Sequence, residues 1–149
     1  MKRTSVGHMD CSVARSLDVV GEWWTLLVVR ELMQGHDRFE VIQTDLGIAR
    51  NILSDRLNTL VAHGVAERVK YHDHPERFEY HLTEKGRDLF PVIVALMGWG
   101  DRWAAVDGPP AEVRHECPGH GEPVLVCSAC GQPLALHDVR IIGRHAVPA

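Results

Sequence analysis

Four cysteines and a histidine are the residues whose types and spacing speak most directly of chemistry. Cys117 and His120 form a C-x2-H pair, followed after a short gap by Cys127 and Cys130 as C-x2-C with Gly131 behind it. Thiolates and an imidazole are the donors that tetrahedral zinc takes, and each x2 pair sets two of them on one tight turn. This pattern points to a zinc ion held by Cys117, His120, Cys127 and Cys130, with His115 or His137 as substitutes for the fourth ligand and Pro123–Val126 reading as a strand between the pairs. The alternatives are an unmetallated ribbon and a redox CxxC pair, but the strand and helix context of a thioredoxin motif is missing. Cys11 stands apart, near the start of a helical pattern. The helix dipole there, and Arg15 one turn on, would favour a reactive, redox-sensing thiolate; the bland alternative is a small apolar residue that packs.

A second set of residues suits base and phosphate recognition. Arg50 and Asn51, with Ser54 and Asp55, fall in the first turns of ARNILSDRLNTLVAHG. Arginine pairs with guanine and asparagine with adenine in bidentate fashion, which makes these four the candidates for groove contacts. On a helical wheel Arg50 lies nearer the apolar side, so a phosphate contact or an internal pair is its other reading. Arg38, Arg56, Lys70, His72 and Arg77 are the candidates for holding phosphates.

The elements that must position these residues can be read from periodicity. Leu53, Leu57, Leu60 and Val61 form one apolar stripe at helical spacing, while Asn51, Asp55, Asn58 and Ala62 fall opposite, so residues 49–63 read as a recognition helix. Before it, Asp37 and Glu40 read as a capping box opening a short helix that ends at Gly47, leaving a turn of a few residues. After it, residues 65–82 alternate as a hairpin, with Val65, Glu67, Val69 and Tyr71 on one strand, Phe78, Tyr80 and Leu82 on the other, and HDHPE as the turn. Helix, turn, helix and ribbon in that order are a helix-turn-helix with a wing. Cys11–Val20, capped by Asp10 or Ser12, and Trp23–Gln34, stopped by Gly35, read as preceding helices. Thr83–Trp103 reads as one further helix, bent at Pro91, whose broad apolar face calls for a partner: the first helix of the same chain and the equivalent helix of a second subunit. Trp23 and Trp24 read as core or subunit-contact residues before any ligand platform.

Composition narrows the classes. With 149 residues, 45% hydrophobic and 24% charged, the chain reads as a soluble domain with a small appendage. No apolar run approaches the roughly 20 residues that span a bilayer, and no secretory signal is visible, so a cytoplasmic protein without membrane partners is expected. A formal charge of -4 argues mildly against nucleic acid, and Arg38–Asp88 carries no basic excess; binding to DNA would rest on where the charges sit. No nucleophile with a placed base is readable, which leaves an enzyme disfavoured.

CSVARSLDVVGEWWTLLVVREL, ARNILSDRLNTLVAHGVAERV and YHLTEKGRDLFPVIVALMGWG together resemble the HxlR family of bacterial winged-helix transcription regulators, relatives of the MarR group. The resemblance covers Cys11–Trp103, about two thirds of the chain. It implies a homodimer on a pseudo-palindromic operator in double-stranded DNA, with the second helix of the motif in the major groove. For some members it also implies sensing of an electrophile or small molecule through a cysteine placed as Cys11 is. The chain departs from the family at Ala49, where Ser or Thr is usual, and at Asn51, where Arg or Lys is frequent. The expected organisation is a mainly α winged helix-turn-helix over 1–106, a linker over 107–116, and a zinc-ribbon-like extension over 117–149. The competing reading is a zinc-ribbon protein-interaction module whose winged domain does not bind DNA.

Overall fold

A computed structural model describes residues 5–119, 121–140 and 142. Eight elements follow in order: α1 (Ser12–Val20), α2 (Trp23–Met33), α3 (Phe39–Leu46), α4 (Arg50–Ala62), β1 (Ala66–Asp73), β2 (Glu76–Leu82), α5 (Glu84–Arg87) and α6 (Phe90–Trp103). The protein is mainly helical with one antiparallel hairpin. Two compact units divide the chain, residues 1–93 and 94–149, and the division falls inside α6 rather than at the linker.

The core of the first unit grows from the stripe on α4. Leu53, Leu57 and Leu60 are fully buried against Val28, Val29 and Leu32 of α2 and against Ile42 of α3. Asn51, Asp55, Asn58 and Ala62, on the opposite side of α4, are exposed, as the 3.6-residue period requires. α3 stops where Gly47 takes a left-handed conformation, φ 60°. Ile48 then drops into the core and Ala49 begins α4. Three residues thus turn the chain between the two helices.

Four expectations about local structure need correction. Asp37 does not open α3: Arg38 occupies the N-cap without a side-chain bond, and the Asp37 carbonyl instead accepts from the Tyr80 amide at 2.8 Å. The loop before α3 therefore runs beside β2, with a bridge between Arg38 and Glu79. Neither Asp10 nor Ser12 caps α1; Cys11 is the N-cap residue and its side chain makes no capping bond. Thr83–Trp103 is two helices, not one bent helix. Thr83 caps α5 by accepting from the Gly86 amide at 3.2 Å. α6 then restarts at Phe90, because Pro91 has no N–H to give the turn before it and its ring crowds that turn. Finally, Pro123–Val126 is not a strand but a single bridge, Val126 to Pro133.

The hairpin forms the wing, with β1 exposed beyond its first residue and β2 half-buried from Phe78 onward. Ala66 pairs with Leu82 and Asp73 with Glu76, with an irregularity between Lys70 and His72. Only Ala66 of β1 is buried, and Val69 and Tyr71 stay exposed. α5 holds the base of the wing. A Cβ on Gly86 would lie 2.1 Å from the Val65 carbonyl oxygen. Gly86→Ala is expected to cost about 2–3 kcal/mol by forcing backbone apart, read as a lower denaturant midpoint at unchanged slope.

Candidate nucleic-acid interface

α3, the first turn of α4 and the wing enclose a groove of about 490 Å³ that Arg38, Arg50 and Arg77 line together with Tyr71, Phe78 and Glu76. Each basic side chain reaches it through a different local device. Arg38 leaves the N-cap of α3, donates from Nε and Nη2 to Glu79 Oε1, both at 3.1 Å, and lies over the Tyr71 ring, 4.6 Å from its centre. The bond to Glu79 raises the pKa of its guanidinium further above the ordinary value. Arg50 lies over the Phe39 ring at 4.8 Å. Its solvent-exposed position corrects the wheel, which set it nearer the buried side. Arg77 is exposed at the wing tip and its guanidinium has no partner among the described residues. Cations resting on aromatic faces are attracted by the ring quadrupole yet keep their N–H edges for a ligand.

Asn51 and Asp55 stand on the open face of α4, and Ser54 is half-buried beside them. The remaining phosphate candidates are occupied elsewhere. Lys70 pairs with Glu76 across the wing. His72 Nδ1 lies 3.0 Å from the Pro75 carbonyl oxygen. Arg56 points away from the groove, 3.6 Å from Glu22 of the α2 N-cap, with its side chain 23% exposed. Sequence reasoning passed over the aromatic supports Phe39, Tyr71 and Phe78 and the anchor Glu79; Arg68 of the wing lies 3.5 Å over Phe78. The register of β1 against β2 joins these residues, and alternation alone did not fix it.

Cys11 is half-buried. The expected help from Arg15 goes elsewhere, since Arg15 Nη2 donates to Asp10 Oδ1 at 2.8 Å. In the second unit, Cys127–Gln132 forms a tight turn: the Gly131 amide donates to the Cys127 carbonyl at 2.7 Å, the Cys127 amide donates to the Gln132 carbonyl at 2.9 Å, and Gly131 has φ 71°. Amides of Cys130 and Ala129, with the Cys130 side chain, donate toward the Cys127 sulfur and hold its pKa below the ordinary thiol value. Cys117 and Cys130 are exposed free thiols. His120 lies outside the described residues. Among the described residues, the groups of three or more donors close enough to share an ion are Glu31–His36–Asp45 and Asp37–Glu79–His81, and no thiol belongs to either. No helix among them is long and apolar enough to cross a membrane.

Comparison with known proteins places these features in context. The pattern of the HxlR-like helix-turn-helix family matches residues 19–107. An HTH-type transcriptional regulator of Mycobacterium tuberculosis, Rv3095, is 48% identical over 130 residues, covering 86% of this chain and 82% of that protein. Among solved structures, PA1607, described as a candidate transcription factor, superposes with a TM-score of 0.81 at 39% identity, covering 93% of this chain and 99% of that one. The redox regulator HypR in its oxidised form superposes with a TM-score of 0.53 at 32% identity, over 64% of this chain and 100% of that one.

Proposed function

Because the chain belongs to the HxlR-like helix-turn-helix family, we propose that it is a bacterial transcription regulator that binds an operator as a homodimer, with α4 in the major groove and the wing along the adjoining backbone. The observation that carries this reading is the convergence of Arg38, Arg50 and Arg77 on one groove beside the open polar face of α4. It answers the objection from net charge: three cations line one groove, and Glu76 and Glu79 beside them are already paired, while Glu40 also lines the groove. Asn51 reads a base edge, Arg50 reads a base or the nearest phosphate, and Asp55 and Ser54 complete the contact. Arg38 and Arg77 hold phosphates, with Lys70 and His72 flanking on the wing. Arg56 serves α2 instead. A protein-only module with a silent winged domain is not favoured by the family. Duplex binding measured against salt tests the choice. The association constant should fall steeply with salt, and Arg77→Ala, which removes one phosphate contact from each subunit of the dimer, should reduce the log-log slope by about 1.8; a flat response would remove DNA as the partner.

Two finer parts of the proposal concern the thiols. Cys117, His120, Cys127 and Cys130 are the residues that would hold zinc as a structural ion. The support is the Cys127–Gln132 turn, closed by Gly131 in a left-handed conformation, in which the neighbouring Cys130 and Ala129 amides hold the Cys127 thiol below its ordinary pKa and so favour the thiolate a metal takes. Purified full-length protein should carry zinc, and Cys127→Ser should lose it by elemental analysis; zinc unchanged in that variant would dismiss the site. Cys11, at the N-cap of a helix with an exposed apolar face, is the thiol proposed to take an electrophile or oxidant, in keeping with the likeness to a redox regulator.

A further inference from the structure

We propose that Glu31, His36 and Asp45 form a binding site for a first-row divalent metal ion, clamped between α2 and the first helix of the DNA-reading motif. The site is separate from the cysteine cluster and does not rest on it. Its three donors come from three segments. Glu31 sits in the last turn of α2 and is only 2% exposed, a carboxylate set in an otherwise apolar stretch of helix. Gly35, with φ 83°, turns the chain back, and the His36 amide donates to the Glu31 carbonyl at 3.1 Å. That reversal brings the His36 ring over the Glu31 side chain. Asp45 reaches the same point from the last turn of α3.

The geometry holds a conflict that a cation resolves. His36 Nδ1 lies 2.7 Å from Glu31 Oε2 and 3.0 Å from Asp45 Oδ2. One ring nitrogen carries at most one hydrogen, so it can satisfy only one of the two carboxylates well. The other faces a like charge within the same small space. Arg30 does not relieve this, because its guanidinium is spent on the opposite oxygen, Glu31 Oε1. With His36 as a neutral ligand the two carboxylates would face one guanidinium, and a cation where Oε2, Nδ1 and Oδ2 meet would supply the balancing charge. Replacing the shared hydrogen by an ion with bonds of about 2.0–2.2 Å needs the donors to part by only a few tenths of an ångström. One imidazole with two carboxylates suits zinc, manganese or iron(II) rather than calcium, and water would fill the remaining positions. Arg30 would then orient Glu31 from behind, as outer partners of metal-ligating carboxylates do.

The neighbouring group of Asp37, Glu79 and His81 is the weaker competitor. Its histidine stands 3.5 Å from Glu79, against 2.7 Å between His36 and Glu31, and the Glu79 side chain is 19% exposed where that of Glu31 is 3%. The clamp, by contrast, joins α2 to α3 just before Gly47, so an ion there would stiffen the helix whose end sets the turn into α4.

Cobalt(II) titration of the full-length protein tests the site, because thiolate-bound cobalt shows a sulfur-to-metal charge-transfer band and cobalt on nitrogen and oxygen does not. The wild-type chain should bind one more cobalt than His36→Gln or Asp45→Asn, the extra ion adding no charge-transfer band. Cobalt at about a hundred-fold excess over its Kd should raise the wild-type Tm by roughly 5–10 °C more than that of either variant. Asp45 is partly exposed, so Asp45→Asn keeps the test valid should a change at the buried end disturb folding. Equal cobalt stoichiometry and equal Tm response in all three chains would overturn the site, as would loss of the extra ion in His81→Gln alone.

Discussion

Replacing Arg50 and Asn51 together with alanine is expected to erase the preference for operator over random duplex, by roughly 10²-fold or more in relative affinity, while the protein stays folded. Each well-formed side chain to base pairing is worth about 1–3 kcal/mol of discrimination, and both residues stand at the exposed start of α4. Their alanine variants leave no cavity, since the stripe that anchors α4 is Leu53, Leu57 and Leu60. The single variants divide the roles. Asn51→Ala should lose preference at one base position with an unchanged salt slope. Arg50→Ala, if its guanidinium leaves the Phe39 ring for a phosphate, should instead lower the slope by about 1.8, one contact from each subunit. Mobility shifts on operator and scrambled duplexes at two salt concentrations read both effects. An operator to random ratio that survives the double change would remove α4 from recognition.

Charging the exposed face of α6 should produce the second large effect. Val92, Leu96, Trp99 and Trp103 follow one another along a single stripe, with Leu96 53% and Trp99 62% exposed. Val13 and Leu17 of α1 and Trp23 at 88% are also open to solvent. Water-facing apolar residues ordered along a helix are what an association surface would present, and the proposed homodimer would use this face of α6. Leu96→Glu with Trp99→Glu is expected to convert a dimer to a monomer in sedimentation, and to weaken binding to a two-site operator by roughly 10²-fold or more through loss of the second contact. Binding to an isolated half-site should change little. A variant that remains dimeric would place the subunit contact elsewhere.

These two predictions rest on features of unequal legibility in the sequence. The α4 stripe was readable because burial on one face of a helix imposes its period directly on residue type, and Leu53, Leu57 and Leu60 are all fully buried. Gly47 was readable for a similar reason, since a left-handed C-terminus favours glycine. The errors lie where a residue had two uses. Asp37 matched a capping pattern but gives its carbonyl to Tyr80; Arg15 sat one turn from Cys11 but bonds Asp10. In each case the choice depends on a neighbour that only the fold supplies. The groove went unseen for the same reason: Arg38 and Arg77 are 39 positions apart (77 minus 38) and meet only because the loop before α3 runs along β2.

Charge distribution, more than total charge, decides how this protein meets a polyanion. A chain with a formal charge of -4 can still present a basic groove when its acidic residues are paired off or turned away. The central claim is that two copies of that groove, and of the open face of α4, act together on one duplex. Selecting bound fragments from a random duplex library with the full-length protein, then footprinting the winners, tests it most directly. The account predicts an inverted repeat with two protected half-sites centred one helical turn, about 10–10.5 base pairs, or a multiple of it, apart. Enrichment of no repeat, with binding indifferent to sequence, would contradict it.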